Sequence, residues 1–436
     1  MIVVQASTRK CLILALVFLI AILSGVVADA ATYYVAKAGN DATSCAQAEA
    51  ITTPKRTISS ALACLTAAGD TLFIRGGTYA EGIYHADIGA TGTPNNRITI
   101  AAHNGETVIL APTSTWAPSV DRFVVRLANT KQYLTFEGLI FDGGSLTGLG
   151  NGSNVVWTSN QQVAGLRFNN VTVRNGRGNG VLARGEGFAF TNSIVHSNGS
   201  GTDYGNSNGM YLEGITNSLI QNVLIYDNEC FGLRIFTSGL LSEGYTQGNN
   251  NIVDRVRSHT NGTGKGLAGA AACASAGGGF VIGDVGNTVR NSIAYNNHQY
   301  GFWTFQSANG TSGTKFYNNT AYNNTYGIVA ASGTMNSTFI NNLSAGNSAS
   351  NYSDGAAGTV SITNRFTGSI TDCTVSTSDF RLRDGAICID SGTTIATVLN
   401  DIAGVSRPQG GTHDIGAHES TGSDSPPQSP QALRVK

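Results

Sequence analysis

Between residues 151 and 351 the chain repeats one pattern of polar and apolar positions. A segment N-x-x-x-[H/Y]-x-N is followed, after a turn, by Gly and three strand residues. It recurs as Asn192 to His196 and Asn198, Asn222 to Tyr226 and Asn228, Asn291 to Tyr295 and Asn297, and Asn318 to Tyr322 and Asn324. Asn341, Ala345 and Asn347 keep both Asn. His259 and Asn261 keep the second, with Arg255 in place of the first. From His196 to Ala345 these positions lie 30, 33, 36, 27 and 23 residues apart, and an earlier copy runs from Asn170 to Arg174.

The strands that follow open on Gly180, Gly209, Gly232, Gly279, Gly301 and Gly327. The first residue after Gly (Val181, Met210, Leu233, Phe280, Phe302, Ile328) is apolar in all six, which makes it inward-facing. The third (Ala183, Leu212, Ile235, Ile282, Thr304, Ala330) shares that side, so the second and fourth point outward. Two or three short strands joined by turns form one rung of a parallel β-solenoid, with rungs about 4.8 Å apart. Differences in repeat length fall in loops. Before the repeats, Ile58, Ala61, Leu62 and Leu65 make a helical face. Thr57 is placed to N-cap it and Gly69 to stop it. A helix there covers the open end of the stack and its strand edges.

Composition agrees. Gly is 55 of 436 residues, and Asn is 39, of which 32 lie between Asn151 and Asn351. Both types accept φ > 0, and an Asn column at a turn can also hydrogen-bond along a stack. Lys+Arg number 26 and Asp+Glu 27, and only 12% of residues are charged. That leaves no basic field for nucleic acid. The 41% apolar content excludes a solvated disordered chain. Eight Pro without a Gly-x-y register exclude collagen, and Leu, Glu and Lys are too scarce for a helical bundle.

Arg9 and Lys10 precede an apolar run from Cys11 to Val27, then Ala28-Asp29-Ala30. Residues 1–30 read as a signal peptide cleaved after Ala30 or Ala31, with a retained anchor as the alternative. The expected product is secreted, extracellular or periplasmic, with no membrane span after cleavage. One domain is expected over 31–419, with caps at 32–80 and 370–419, then a disordered tail at 420–436. Six Cys remain after cleavage. Of fifteen pairings the local one is expected: Cys45 with Cys64, Cys230 with Cys273, and Cys373 with Cys388.

The segment P-K-R-T-I-S-S-A-L to G-D-T-L-F-I-R-G-G-T-Y, Pro54 to Tyr79, resembles the capping start of secreted right-handed parallel β-helix proteins of the pectin lyase-like superfamily. The Asn/Gly rungs resemble that superfamily's repeats. So do D-F-R-L-R-D-G-A-I-C-I-D-S-G, Asp379 to Gly392, and R-P-Q-G-G-T-H-D-I-G-A-H-E, Arg407 to Glu419. The resemblance implies an all-β, right-handed parallel β-helix with an N-terminal capping helix. It also implies a polysaccharide partner: the superfamily holds lyases, hydrolases, epimerases and non-catalytic surface proteins. A monomer is expected.

The outward positions of the Gly-led strands carry Arg184, Tyr211, Glu213, Arg234, Phe236, Trp303 and Phe305. Aromatic faces stack on sugar rings and Arg pairs bidentately with a uronate carboxylate. The alternative is a salt-bridge ladder under a loop. For β-elimination, Arg234 or Arg184 neutralises the carboxylate, while Tyr211, His196 or Lys265 serves as base or acid. Glu213 is a further catalytic candidate, and with Asp203, Asp227 and Glu229 it is one of the carboxylates open to glycoside hydrolysis. Arg184, Phe236, Lys265, Trp303 and Phe305 are assigned to substrate binding. The paired Asp of polygalacturonase-like members, the Asp clusters of pectate lyase-like members and the Asp-Pro-His-Asp of alginate epimerase-like members are missing. No metal ligand set is assigned, although Asp203, Asn206 and Asn208 offer oxygens to Ca²⁺. The column Arg174, His196, Tyr226, His259, Tyr295, Tyr322 reads either as proton-transfer groups or as a stacking ladder.

Overall fold

The computed structural model describes residues 30–113, 123–146, 154–199, 207–262 and 277–422. Two long sheets run the length of the molecule, of nineteen and ten strands, and their ladders are parallel. In the ten-stranded sheet spatial order equals chain order: Ile83–Tyr84, Val125–Arg126, Val156–Trp157, Val181–Glu186, Met210–Thr216, Phe231–Ile235, Gly278–Ile282, Tyr300–Thr304, Tyr326–Ala330 and Ser350–Asp354. Each strand therefore belongs to its own rung. The fold is the right-handed parallel β-helix that the repeats imply. The six Gly-led strands are joined by three earlier rungs, of which the first also opens on Gly (Gly82) and the next two have Val124 and Val155 there, and by one later rung with Asn351 at that position.

Inside, alternate positions are fully buried and like residues meet along the stack. Phe136 lies on Phe168 at 4.7 Å, Phe280 on Phe302 at 4.7 Å and Phe316 on Phe339 at 5.2 Å between ring centroids. The offset-stacked distance is the favourable one for aromatic pairs.

The two Asn of the repeat do different work. The first occupies a left-handed bend: φ is 52° at Asn192, 54° at Asn222, 49° at Asn291, 51° at Asn318 and 58° at Asn341. Arg255 takes the same conformation at 57°. The second Asn is buried and forms a ladder. Each side-chain amide donates to the next carbonyl oxygen, from Asn198 through Asn228, Asn261, Asn297 and Asn324 to Asn347, at 3.0–3.1 Å. The same oxygens accept the preceding rung's backbone N–H. The ladder satisfies donors at a buried corner where the backbone turns and has no sheet partner.

At the N-terminal end Thr57 caps the helix Ile58–Leu62 by accepting from Ser60 N at 3.3 Å. The helix ends before Gly69, with Ala63 as its C-cap. It packs on the first strand of each large sheet, Thr32–Val35 and Ile83–Tyr84, and Ile58, Ala61 and Leu62 are fully buried. Cys45 is bonded to Cys64 and Cys373 to Cys388. Cys230 is also disulfide-bonded, and its expected partner Cys273 lies outside the described residues.

The C-terminal segment lies along the side of the last rungs. Ile370, Phe380, Ile402, Ile415 and Ala417 pack on Ile293, Leu343 and Ala345 of the outer sheet face, and Phe380 covers the rings of Tyr295 and Tyr322. A fully buried Arg407–Glu419 pair holds this segment to itself. No helix among the described residues is long and apolar enough to cross a membrane. Residues 1–29, which hold all of the expected leader but Ala30, and residues 423–436 lie outside the described residues.

Candidate functional site

Strand alternation sets the site. In the ten-stranded sheet the register pairs Leu182 with Tyr211, Tyr211 with Arg234, Arg234 with Val281 and Val281 with Trp303. These side chains form one outward column, while Met210, Leu212, Leu233 and Ile235 point into the core with no exposure. The Arg234 guanidinium lies 4.6 Å from the Tyr211 ring centroid and 4.1 Å from that of Phe236. Burial lowers the Arg234 pKa, and the neighbouring Tyr211 and Glu213 act against that shift; the group stays cationic at any ordinary pH.

Glycine makes the next column possible. A Cβ on Gly283 would stand 2.6 Å from the Phe236 Cβ. Without it, Phe236 reaches past that rung to Phe305, with ring centroids 4.8 Å apart. Trp303 stacks on Tyr300 at 4.3 Å and meets Phe305 edge-on at 4.9 Å. Tyr211, Arg234, Tyr300, Trp303 and Phe305 are each partly exposed. The result is a strip of aromatic surface with a cation set into it.

Glu213 is only 3% exposed. Arg184 grips one of its oxygens through Nε, at 2.9 Å, and through Nη2. The other oxygen accepts from Tyr211 Oη at 3.1 Å, Ser238 N at 3.2 Å and Ser238 Oγ. Ser238 belongs to a loop, 237–248, folded over this side of the strip. The loop is anchored by Asp284, which accepts from Thr237 N, Thr237 Oγ1 and Gly248 N at 3.0–3.2 Å. Asn309 ties its tip through Leu241 N and the Gly239 carbonyl, and Tyr245 stacks under Arg184 at 5.0 Å. Glu213 thus joins strip to loop. Burial and the Glu213 charge push the Tyr211 hydroxyl pKa well up, so the hydroxyl keeps its proton and donates it in a hydrogen bond to Glu213.

No protein-family model and no curated protein matches the sequence. Solved structures do match in fold. The chain is similar to a pectate lyase, Pel9A, with TM-score 0.60 and 18% identity, covering 90% of this chain and 97% of that one. It is also similar to a rhamnogalacturonan lyase (TM-score 0.45, 17% identity, 71% and 82% covered). An alginate lyase from Paenibacillus sp. str. FPU-7 gives TM-score 0.47 and 18% identity, with 70% and 95% covered. At these identities the likeness is one of fold. These neighbours are polysaccharide lyases built on the β-helix.

Of the residues nominated from sequence, Arg184, Tyr211, Glu213, Arg234, Phe236, Trp303 and Phe305 lie together on this face. His196 does not. It sits on the other sheet, stacked on Tyr226 at 4.8 Å, and Tyr226 and His259 continue the ladder to Tyr295. Those rings cover one another's faces, and burial lowers the His196 pKa. Lys265, Asp203 and Asn206 lie outside the described residues. Asn208, the third oxygen nominated for Ca²⁺, is buried in a second ladder, donating to Asn179 Oδ1 at 2.9 Å. Among the described residues no group of three or more His, Cys, Asp or Glu is gathered as a metal site. Glu229 stands apart: it is 2% exposed, both carboxylate oxygens lack a hydrogen-bond partner among the described residues, and burial raises its pKa.

The sequence reading missed the aromatic neighbours Tyr300 and Tyr245 and the earlier rungs of the same column, Tyr84, Arg126 and Trp157. Tyr300 directly precedes Gly301, so the Gly-led register could have found it.

Proposed function

We propose that this is a secreted protein that binds an acidic, uronate-containing polysaccharide on the outward face of the ten-stranded sheet and cleaves it by β-elimination. The observation that carries the reading is Arg234 placed over the rings of Tyr211 and Phe236, in the same outward column as Trp303 two rungs on. A guanidinium is more weakly hydrated than an ammonium, and its planar fork matches a carboxylate in shape. Aromatic faces accept the apolar faces of sugars. β-Elimination needs the uronate carboxylate neutralised so that the C5 proton becomes acidic, a base for that proton, and an acid for the leaving oxygen. Arg234 takes the first role and Tyr211, held protonated, the last. Lys265 is the remaining sequence-nominated base. The leader and the disulfides support an exported protein.

A second reading, binding without cleavage, is favoured by one observation. Both Glu213 oxygens are already engaged, so this carboxylate holds the loop rather than moving protons. Purified protein incubated with pectate, alginate and other uronate polymers, with and without Ca²⁺, separates the readings. β-Elimination gives unsaturated ends that absorb in the ultraviolet. Hydrolysis gives reducing ends without them. Binding without product, lost in Arg234→Ala or Trp303→Ala, supports the second reading.

A further inference from the structure

On the outward face of the nineteen-stranded sheet one column is only partly covered by the C-terminal segment. Through the register it reads Ile194, Leu224, Arg257, Ile293, Thr320, Leu343. From Ile293 onward it is buried, with Ile293 0%, Thr320 1% and Leu343 1% exposed, under the segment that holds Ile402 and Ala417. Arg257 is the first residue outside that cover, is exposed, and is the one charged side chain of these six. Enough protein stands around its guanidinium that burial lowers its pKa, while Tyr295, Asp401 and Asp379 act the other way through charge. The two acids are committed elsewhere. Asp401 accepts from Ala403 N at 2.8 Å, Val405 N at 2.7 Å and Glu419 N at 3.0 Å. Both Asp379 oxygens accept from Arg381 Nε at 3.0 Å. Among the described residues no hydrogen bond or ion pair engages the Arg257 guanidinium. Two positions along the same strand, His259 is stacked between Tyr226 at 5.3 Å and Tyr295 at 4.7 Å. Burial raises the pKa of the Tyr295 hydroxyl and the Arg257 charge acts against it, so a phenol donor stands near the guanidinium.

We infer that Arg257, Tyr295 and Leu224 form a uronate-binding site on the nineteen-stranded sheet, at the foot of the C-terminal segment and separate from the Arg234 face. The inference takes its ligand class from the acidic-polysaccharide reading and uses no contact of Arg234. The planar, weakly hydrated fork of Arg257 suits a carboxylate. The Tyr295 hydroxyl donates to a sugar oxygen, and the partly exposed Leu224 offers apolar ground for a ring face. From the Leu224 rung to the Tyr295 rung the stack spans about 10 Å, room for one or two sugar units. The wall of the C-terminal segment closes the site on the side of Ile293 and leaves it open toward Leu224. A site on this sheet takes a second stretch of polymer, and two contacts with one polymer hold the protein on it longer than either alone.

The test is the calorimetric stoichiometry of a short oligouronate on the wild type, Arg257→Gln, Arg257→Lys and Arg234→Ala. The wild type is expected to take up about two ligands per chain and Arg257→Gln about one. Arg257→Lys, which keeps the charge without the planar fork, should hold the second ligand several-fold more weakly. In the unaltered protein the oligouronate should also protect Arg257 from phenylglyoxal, a reagent for guanidines, as read by peptide mass. If Arg257→Gln melts lower than the wild type, this protection decides. Wild-type stoichiometry and affinity in Arg257→Gln, or an Arg257 modified equally fast with and without ligand, overturns the site and leaves the Arg234 reading standing. A site lost in Arg257→Gln with none lost in Arg234→Ala overturns the Arg234 reading and leaves this site standing.

Discussion

Glu213 can be read as an active-site carboxylate or as the clasp between strip and loop, and Glu213→Gln separates the two. The native carboxylate accepts from Arg184 Nε and Nη2 on one oxygen, and from Tyr211 Oη, Ser238 N and Ser238 Oγ on the other. Glutamine keeps the volume but only one acceptor. Its amide group must face donors, either Arg184 or the Tyr211–Ser238 pair. Losing a charge-assisted bond to a buried group costs about 1.5–3 kcal/mol. Arg184 and Ser238 reach solvent and recover part of this, so the expected loss is about 2 kcal/mol. Urea unfolding followed by tryptophan fluorescence should show the midpoint fall accordingly. The rate of unsaturated product formation should drop less than about tenfold, whereas loss of a general acid or base costs about a hundredfold or more. A variant as stable as the wild type that has lost product formation by more than about a hundredfold refutes the clasp.

Two further predictions concern stability. Asn261→Ala removes the oxygen that accepts from Asn228 N and Asn228 Nδ2 at 3.1 and 3.0 Å, leaving the buried Asn228 N–H unsatisfied and Nδ2 with only the Tyr226 and Val195 carbonyls. The cost should be about 2–4 kcal/mol in urea unfolding, with faster exchange at the Asn228 amide; a change below about 0.5 kcal/mol contradicts a ladder that supports the corner. Glu229 is buried with no hydrogen-bond partner among the described residues, and its folded pKa lies above the ordinary carboxylate value of 4.5. The folded state therefore holds this proton more tightly than the unfolded state, and the group's contribution to stability, present below pH 4.5, is lost as pH rises through the folded value. Glu229→Gln should be the more stable protein at neutral pH, with the gap closing on acidification; parallel stability curves against pH would count against it.

The rungs were legible in the sequence because stacking imposes the same chemistry at the same corner. The first Asn of each repeat marks a left-handed bend and the second a buried ladder, and further Asn ladders, such as Asn154–Asn179–Asn208 and Asn319–Asn342, add to the excess within residues 151–351. One column of turn Asn was expected; several columns, with separate tasks, are present. The outward set on the Gly-led strands followed from period two alone. What was not legible falls outside the repeat. Val124 and Val155 stand where later rungs have Gly, so Arg126 and Trp157 carried no signature. The loop 237–248 closes over Glu213 through Asp284 and Asn309, contacts between residues 36 to 70 positions apart that no periodicity announces. His196 belonged to a regular column, yet that column lies on the other sheet.

The account stands most directly on the reaction at the Arg234 face. Wild type and Arg234→Ala are incubated with a panel of uronate polymers, and the appearance of unsaturated ends is followed by ultraviolet absorbance. The account predicts product from the wild type on at least one polymer and loss of product in Arg234→Ala, with its thermal melt unchanged. Absence of unsaturated ends on every polymer, with and without Ca²⁺, contradicts β-elimination, and equal rates from the two proteins contradict the site.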